Sequence, residues 1–199
     1  MKTIYAMAAL LALAGLSRAE KRYVAVPAVD KAAPSPLQIH IDKYEGSSNG
    51  ELSIEVHNPT ANFAEFDAQG LYFVPDENVD SAPQRVGAVG PVQVLESGAW
   101  RRKEKIAVPP SGSVKLKLDV YCIDSHRRSP HTGDRFQVAT ARMPRALSNE
   151  IAQKTRAAAA PLGSYDAPPA KAAIQSEVWS TRDKRWQKLE GEGAQERGK

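Results

Sequence analysis

The sequence predicts a mainly β protein: an antiparallel, immunoglobulin-like β-sandwich followed by one or two C-terminal helices. Three observations carry that expectation. Apolar and polar residues alternate at period two in short runs between Leu37 and Pro144. Gly-, Pro- and Asn-containing breaks separate those runs. After Pro144 the apolar spacing becomes helical.

The elements follow in order. Leu37, Ile39 and Ile41 alternate with Gln38, His40 and Asp42, the pattern of a half-buried strand. "GSSNG" (46–50) is a turn signal, after which Leu52, Ile54 and Val56 restart the alternation, so the two runs make a hairpin. "HNPTAN" (57–62) breaks the chain again. Residues 70–76 read as a third strand, 83–90 as loop, 91–97 as a fourth strand, and 104–112 as a short fifth strand with its turn. The strongest strand is 113–124, where Val114, Leu116, Leu118 and Val120 share one face and Lys115, Lys117 and Asp119 the other. A last strand lies in 134–143. Seven strands at this spacing suit a sandwich of immunoglobulin size, without the paired cysteines of antibody domains.

Beyond Pro144, Ser148 is a candidate cap for a helix carrying Ile151, Thr155 and Ala158. That helix stops in the Ala- and Pro-rich stretch 157–170. Asp166 then caps a second helix with Pro168 and Pro169 in its first turn. Its apolar stripe is Ile174, Val178, Arg182 and Leu189, with Trp179 and Trp186. The expected organisation is a signal peptide (1–19), an extended lead-in (20–36), the sandwich (37–144), a helical extension (145–190) and a polar, disordered tail (191–199).

The signal peptide rests on Lys2, the apolar run Ile4–Leu16, and small residues at Ser17 and Ala19 that place cleavage after Ala19. The chain is therefore expected to be exported, to a periplasm or beyond. The apolar run falls short of the ~20 residues a membrane-spanning helix needs, and no later segment is apolar enough, so no transmembrane segment is expected in the mature chain. Cleavage removes Lys2 and Arg18, taking the 27 basic residues to 25 against 23 acidic ones, a net charge of +2. That balance, with only short basic clusters, gives no electrostatic footprint for nucleic acid. No motif implies a cofactor.

Cys122 is the only cysteine, so no internal disulfide forms, although exported chains commonly pair their thiols. Several readings stand. It continues the apolar face of Val120, as a small buried side chain would. Cys122, Asp124 and His126 fall at i, i+2 and i+4, with His131 beyond a Pro turn, a set of zinc- or copper-ligating types. A nucleophilic thiol would need a histidine to deprotonate it, but His126 is four residues along a strand, and no strand–turn–helix nucleophile elbow surrounds the cysteine.

Tyr121-Cys122-Ile123, together with Ile174-Gln175 and Val178-Trp179, resembles the thioester domains of bacterial surface adhesins. The resemblance implies that the Cys122 sulfur and the Gln175 side-chain carbonyl condense with loss of ammonia. The resulting thioester is kept dry until a nucleophile on a host surface attacks it. More loosely, Gly70–Phe73, Gln84, Pro109–Gly112 and Val120–Asp124 resemble uncharacterised exported bacterial proteins with one sandwich and a trailing helix, which brings no activity with it.

Two exposed segments are candidate contact surfaces: Trp100, Arg101 and Arg102 in 99–105, and His126, Arg127 and Arg128 in 124–131. Aromatic and Arg side chains dominate interface energetics, although short basic clusters are also ordinary solvated loops. Three function classes follow. The first is an exported, non-enzymatic binding or adhesion module for a protein or cell-surface ligand. The second is a thioester-bearing adhesin, and the third a Cys/His hydrolase or metal-dependent enzyme.

Overall fold

The computed structural model describes residues 21–29, 33–76, 81–162 and 168–191. The expected signal peptide, the Asp166 cap and the tail beyond Gly191 lie outside the described residues. The strands are β1 (Val24–Ala25), β2 (Gln38–Glu45), β3 (Asn49–His57), β4 (Ala64–Phe66), β5 (Tyr72–Pro75), β6 (Val86–Ala88), β7 (Val92–Glu96), β8 (Ala99–Lys103), β9 (Ile106–Val108), β10 (Ser113–Cys122) and β11 (Phe136–Val138). Two helices, α1 (Arg145–Ala159) and α2 (Pro168–Lys184), follow. Mainly antiparallel β with C-terminal helices is therefore the architecture.

The sheet is built around β10. Along one side it pairs with β3 from Ser113↔His57 to Tyr121↔Asn49. Along the other it pairs first with β7 at Leu116 and Lys117, then with β6 from Val120 to Cys122. The main path runs β1-β2-β3-β10-β6-β5-β11, with the β7–β8 hairpin branching from β10 and a separate β4–β9 ribbon. The ends of the path approach each other: the Tyr44 and Phe136 rings lie 5.2 Å apart, and the Gly133 N–H donates to the Tyr44 carbonyl at 3.2 Å. Where a sandwich of two facing sheets is expected, a single nine-stranded sheet bends nearly closed on itself.

That curvature creates two cores. Ile39, Ile54, Phe73, Leu118, Val120 and Cys122 belong to the interior cluster. Tyr72, Val74, Tyr121 and Ile123 point the opposite way and form the outer cluster with Leu147 and Ile151 of α1 and Ile174 and Val178 of α2. Both cores follow from one alternation, because successive strand side chains face opposite sides of the sheet.

Several sequence expectations need correction. β6 lies in a segment read as loop; it is too short to reveal a period, and its residues are fixed by β10 and β5. The Arg101–Lys103 cluster is not a solvated loop but part of β8, in register with β7 from Val92↔Lys103 to Glu96↔Ala99. Ser97 and Gly98, with φ of 50° and 82°, supply the left-handed pair that a two-residue hairpin requires. Ser148 is no cap; it is buried inside α1, with its hydroxyl donating back to the Arg145 carbonyl at 3.2 Å, and Pro144 precedes the helix without a side-chain cap. α2 ends at Lys184, so Leu189 is buried by the segment after the helix, while Trp186 is exposed. Among the described residues no helix is long and apolar enough to cross a membrane.

Candidate functional site

The end of β10 is where the sheet and α2 meet. Regular pairing to β3 runs out at Asn49, one residue before Cys122 is reached. A buried backbone group without a partner costs about as much as a lost hydrogen bond, so the strand end must be satisfied by something else. Gln175 of α2 does this. Its Nε2 donates to the Cys122 carbonyl at 2.8 Å, and its Oε1 accepts from the Cys122 N–H at 3.0 Å. The carboxamide thus supplies the donor that the β3 ladder does not offer the Cys122 carbonyl. The same Cys122 N–H also points at the Ser48 carbonyl, 2.8 Å away, in the β2–β3 turn.

α2 can deliver this side chain because its neighbours are locked. Ile174 and Val178, both fully buried, hold the helix on Tyr121 and Ile123. Trp179, one turn on from Gln175, is half-buried, and its Nε1 donates to Gln84 Oε1 at 3.1 Å. Gln84 in turn donates from Nε2 to the Arg127 carbonyl at 2.9 Å. The sequence-level pairing of Cys122 with Ile174, Gln175, Val178 and Trp179 therefore corresponds to one physical neighbourhood, although 53 residues separate the cysteine from the glutamine.

The thiol faces the interior cluster and is fully buried. Burial first, and the nearby Asp124 carboxylate second, push its pKa up to about 12. That is the reverse of what a hydrolytic cysteine needs, since a thiolate at neutral pH requires a lowered pKa. Tyr44 shares this interior: its phenol pKa is also raised, by burial and then by Cys122, and its hydroxyl donates to the Ser47 carbonyl.

The ligand-type residues near Cys122 do not converge. Asp124 is turned into a buried ion pair with Arg85. Arg85 Nε donates to Asp124 Oδ2 at 2.7 Å, Nη2 donates to Oδ1, and the Arg85 N–H donates to Oδ2 at 3.1 Å. Arg85 Nη1 also donates to the carbonyls of Leu189 and Glu190, at 3.3 and 2.9 Å. Both side chains are almost wholly inaccessible, at 1% and 2%. His126 and His131 are exposed in the loop beyond, and among the described residues no group of three His, Cys, Asp or Glu side chains is placed to hold a metal. The set Cys122, Asp124, His126 and His131 is thereby corrected: the strand ends at Cys122, so its two-residue alternation does not carry to His126.

The candidate contact residues behave differently from one another. Trp100 is 40% exposed, with Lys117 Nζ 4.8 Å above its ring, and Arg101 is exposed beside it. Arg102 instead reaches inward, donating from Nη1 to buried Asp119 at 2.6 Å. Arg127 donates to the Gly191 carbonyl at 3.3 Å, and Arg128 donates to Ser81 O at 2.9 Å and pairs with Asp134 at 3.2 Å. Much of this basic character is spent holding loops rather than offered to solvent.

Sequence reading missed Arg85, Ser48 and Tyr44 as parts of the site. Arg85 sits in a segment with no periodicity, where a charged residue reads as surface. Ser48 acts through its carbonyl, which no residue identity encodes. Tyr44 is buried, and the alternation of β2 shifts between Ile41 and Lys43, so its facing departs from simple period two.

No family model, curated protein or solved structure matches the chain.

Proposed function

We propose that this chain is an exported attachment module whose Cys122 and Gln175 condense into an internal thioester, held where α2 covers the end of β10 and used to acylate a nucleophile on a partner surface. The observation that carries the reading is the position of the Gln175 carboxamide, fixed by two hydrogen bonds on the main chain of the residue that bears the lone thiol.

The chemistry balances without a co-reactant. The Cys122 side chain, which faces the interior cluster, must turn toward the strand end, where its sulfur attacks the Gln175 amide carbon; a C–S bond forms, the C–N bond breaks, and the thiol proton leaves with nitrogen as ammonia. Negative charge develops on Oε1 during attack, and the Cys122 N–H already donates to that atom at 3.0 Å, as an oxyanion donor does. The raised thiol pKa leaves little thiolate at neutral pH, so the step is slow, which a reaction that occurs once per molecule tolerates. The product needs shelter from water, and Cys122 and Gln175 are 0% and 4% exposed. When an amine or hydroxyl reaches the Gln175 carbonyl carbon, a new C–N or C–O bond forms, and the C–S bond breaks to return the thiol.

The test is the intact mass of the purified chain before and after methylamine and a thiol alkylator. The expected result is a mass short by one ammonia, converted to a methylamine adduct with release of one alkylatable thiol. Full mass, with a thiol that reacts only after unfolding, would leave Gln175 as a hydrogen-bonding residue alone and defeat the proposal.

A second reading, non-covalent binding, is favoured by the β7–β8 hairpin. Leu95 and Trp100 face each other across it, 43% and 40% exposed, on the outermost strand pair of the branch. Exposed aromatic–aliphatic pairs of this kind supply contact area. Trp100→Ala is expected to weaken adhesion of the folded protein to its target surface in a pull-down; unchanged adhesion discards the hairpin.

A further inference from the structure

The two carbonyls aimed at the Cys122 N–H have a consequence for how the thioester would be used. One proton is shared between the Ser48 carbonyl, at 2.8 Å, and Gln175 Oε1, at 3.0 Å. A donor divided in this way gives each acceptor less than a full hydrogen bond. Gln175 is therefore only partly polarised while the β2–β3 turn is seated.

The turn is also the exposed wall of the site. Glu45, Gly46 and Ser47 are exposed and Ser48 is partly so, whereas the remaining partners of the Cys122 main chain, β6 and α2, are packed into the cores. Among the described residues, beside the Glu45↔Glu51 end of the hairpin and the Gly133 N–H on the Tyr44 carbonyl, three hydrogen bonds hold the turn. The Tyr44 hydroxyl donates to the Ser47 carbonyl, the Gly46 N–H donates to Thr132 Oγ1 at 3.0 Å, and the Cys122 N–H donates to Ser48. Gly46 has φ of 121°, a conformation open to glycine, and a Cβ at Gly50 would sit 2.5 Å from the Tyr44 hydroxyl. The start of β3 thus packs directly on the phenol that latches the turn.

We infer that the β2–β3 turn is a gate that couples access to activation: lifting it admits the partner's nucleophile and hands the whole Cys122 N–H to the Gln175 carbonyl. This inference rests on the thioester reading. A seated turn keeps the bond both covered and under-polarised; a partner that displaces the turn opens the path and completes the oxyanion donor in one motion. Spontaneous hydrolysis and partner attack are separated by the same movement.

The experiment measures the rate of methylamine incorporation by intact mass in the full mature chain. Tyr44→Phe removes the Ser47 latch and is expected to speed incorporation about tenfold, the rate equivalent of about one hydrogen bond. Thr132→Val removes the Gly46 tie at an exposed position and is expected to raise the rate about threefold, and it serves if the buried Tyr44 change prevents folding. Phe63→Ala, at an exposed side chain outside the turn and outside the candidate contact surfaces, should leave the rate unchanged. A thioester present in every variant but reacting at the wild-type rate would overturn the gate and leave the thioester standing. A wild-type chain of full mass would remove both.

Discussion

The two halves of β10 obey one alternation in sequence and different physics in the fold. From Ser113 to Leu118 the strand buries every second side chain and leaves Lys115 and Lys117 to water. From Asp119 to Cys122 every residue is buried, because α2 covers the outer face. The first half needs only its sheet neighbours. In the second half outward positions carry Asp119 and Tyr121, and regular pairing to β3 stops after Tyr121, so the last polar groups must be answered from elsewhere. Arg102 and Lys171 answer Asp119, and Gln175 answers the Cys122 main chain. A strand end buried on both faces is costly to satisfy, and the candidate site is made of the groups that satisfy it.

The contrast can be broken most forcefully at Arg85. Arg85→Ala leaves Asp124 charged, buried and unpaired, and should cost about 3–5 kcal/mol in urea unfolding. The double change Arg85→Met, Asp124→Leu should recover most of that loss, since the cost lies in the unpaired charge. Ile174→Ala, at the fully buried contact of α2 with the second half, should cost about 2–4 kcal/mol by the same measurement.

Gln175→Ala should abolish the mass deficit, and relative to chain that still carries its amide it should cost about 1–3 kcal/mol by leaving the buried Cys122 carbonyl without its donor. A pH series sharpens this. The Cys122 thiol pKa is raised in the fold, so the folded state keeps its proton longer than the unfolded chain. The associated stability is fully present below pH ~9 and is lost as pH rises toward 12. Gln175→Ala, with its thiol free, should lose about 1 kcal/mol by pH 10 relative to Cys122→Ala. Wild type carrying the thioester has no thiol to titrate and should track Cys122→Ala; tracking Gln175→Ala instead would mean that the thiol is free. The smallest effect belongs to the first half: Lys117→Ala removes a solvent-side contact with Trp100 and should change stability by about 0.5 kcal/mol.

Legibility followed the same divide. The β2–β3 hairpin and the long strand through Val114, Leu116, Leu118 and Val120 were readable because one face of each is wet, and alternation survives only where water contrasts with core. β4, β6 and β8 were not, since three to five residues carry too little period and their placement depends on a longer neighbour. At the site, Cys122 and Gln175 were legible as residue types in apolar company. Arg85 was not, because burial of a charge depends on a partner 39 residues away.

The sequence by itself determined that the chain is mainly antiparallel β with a helical end, and which apolar face each long strand presents. Only the tertiary structure decided that the sheet bends nearly closed, that α2 covers the end of β10, and that the Gln175 carboxamide meets the main chain of Cys122 rather than solvent. The physical reason is range. Periodicity records contact with water one residue at a time, whereas a hydrogen bond between residues 122 and 175 exists only once two cores have packed and fixed the helix above the strand.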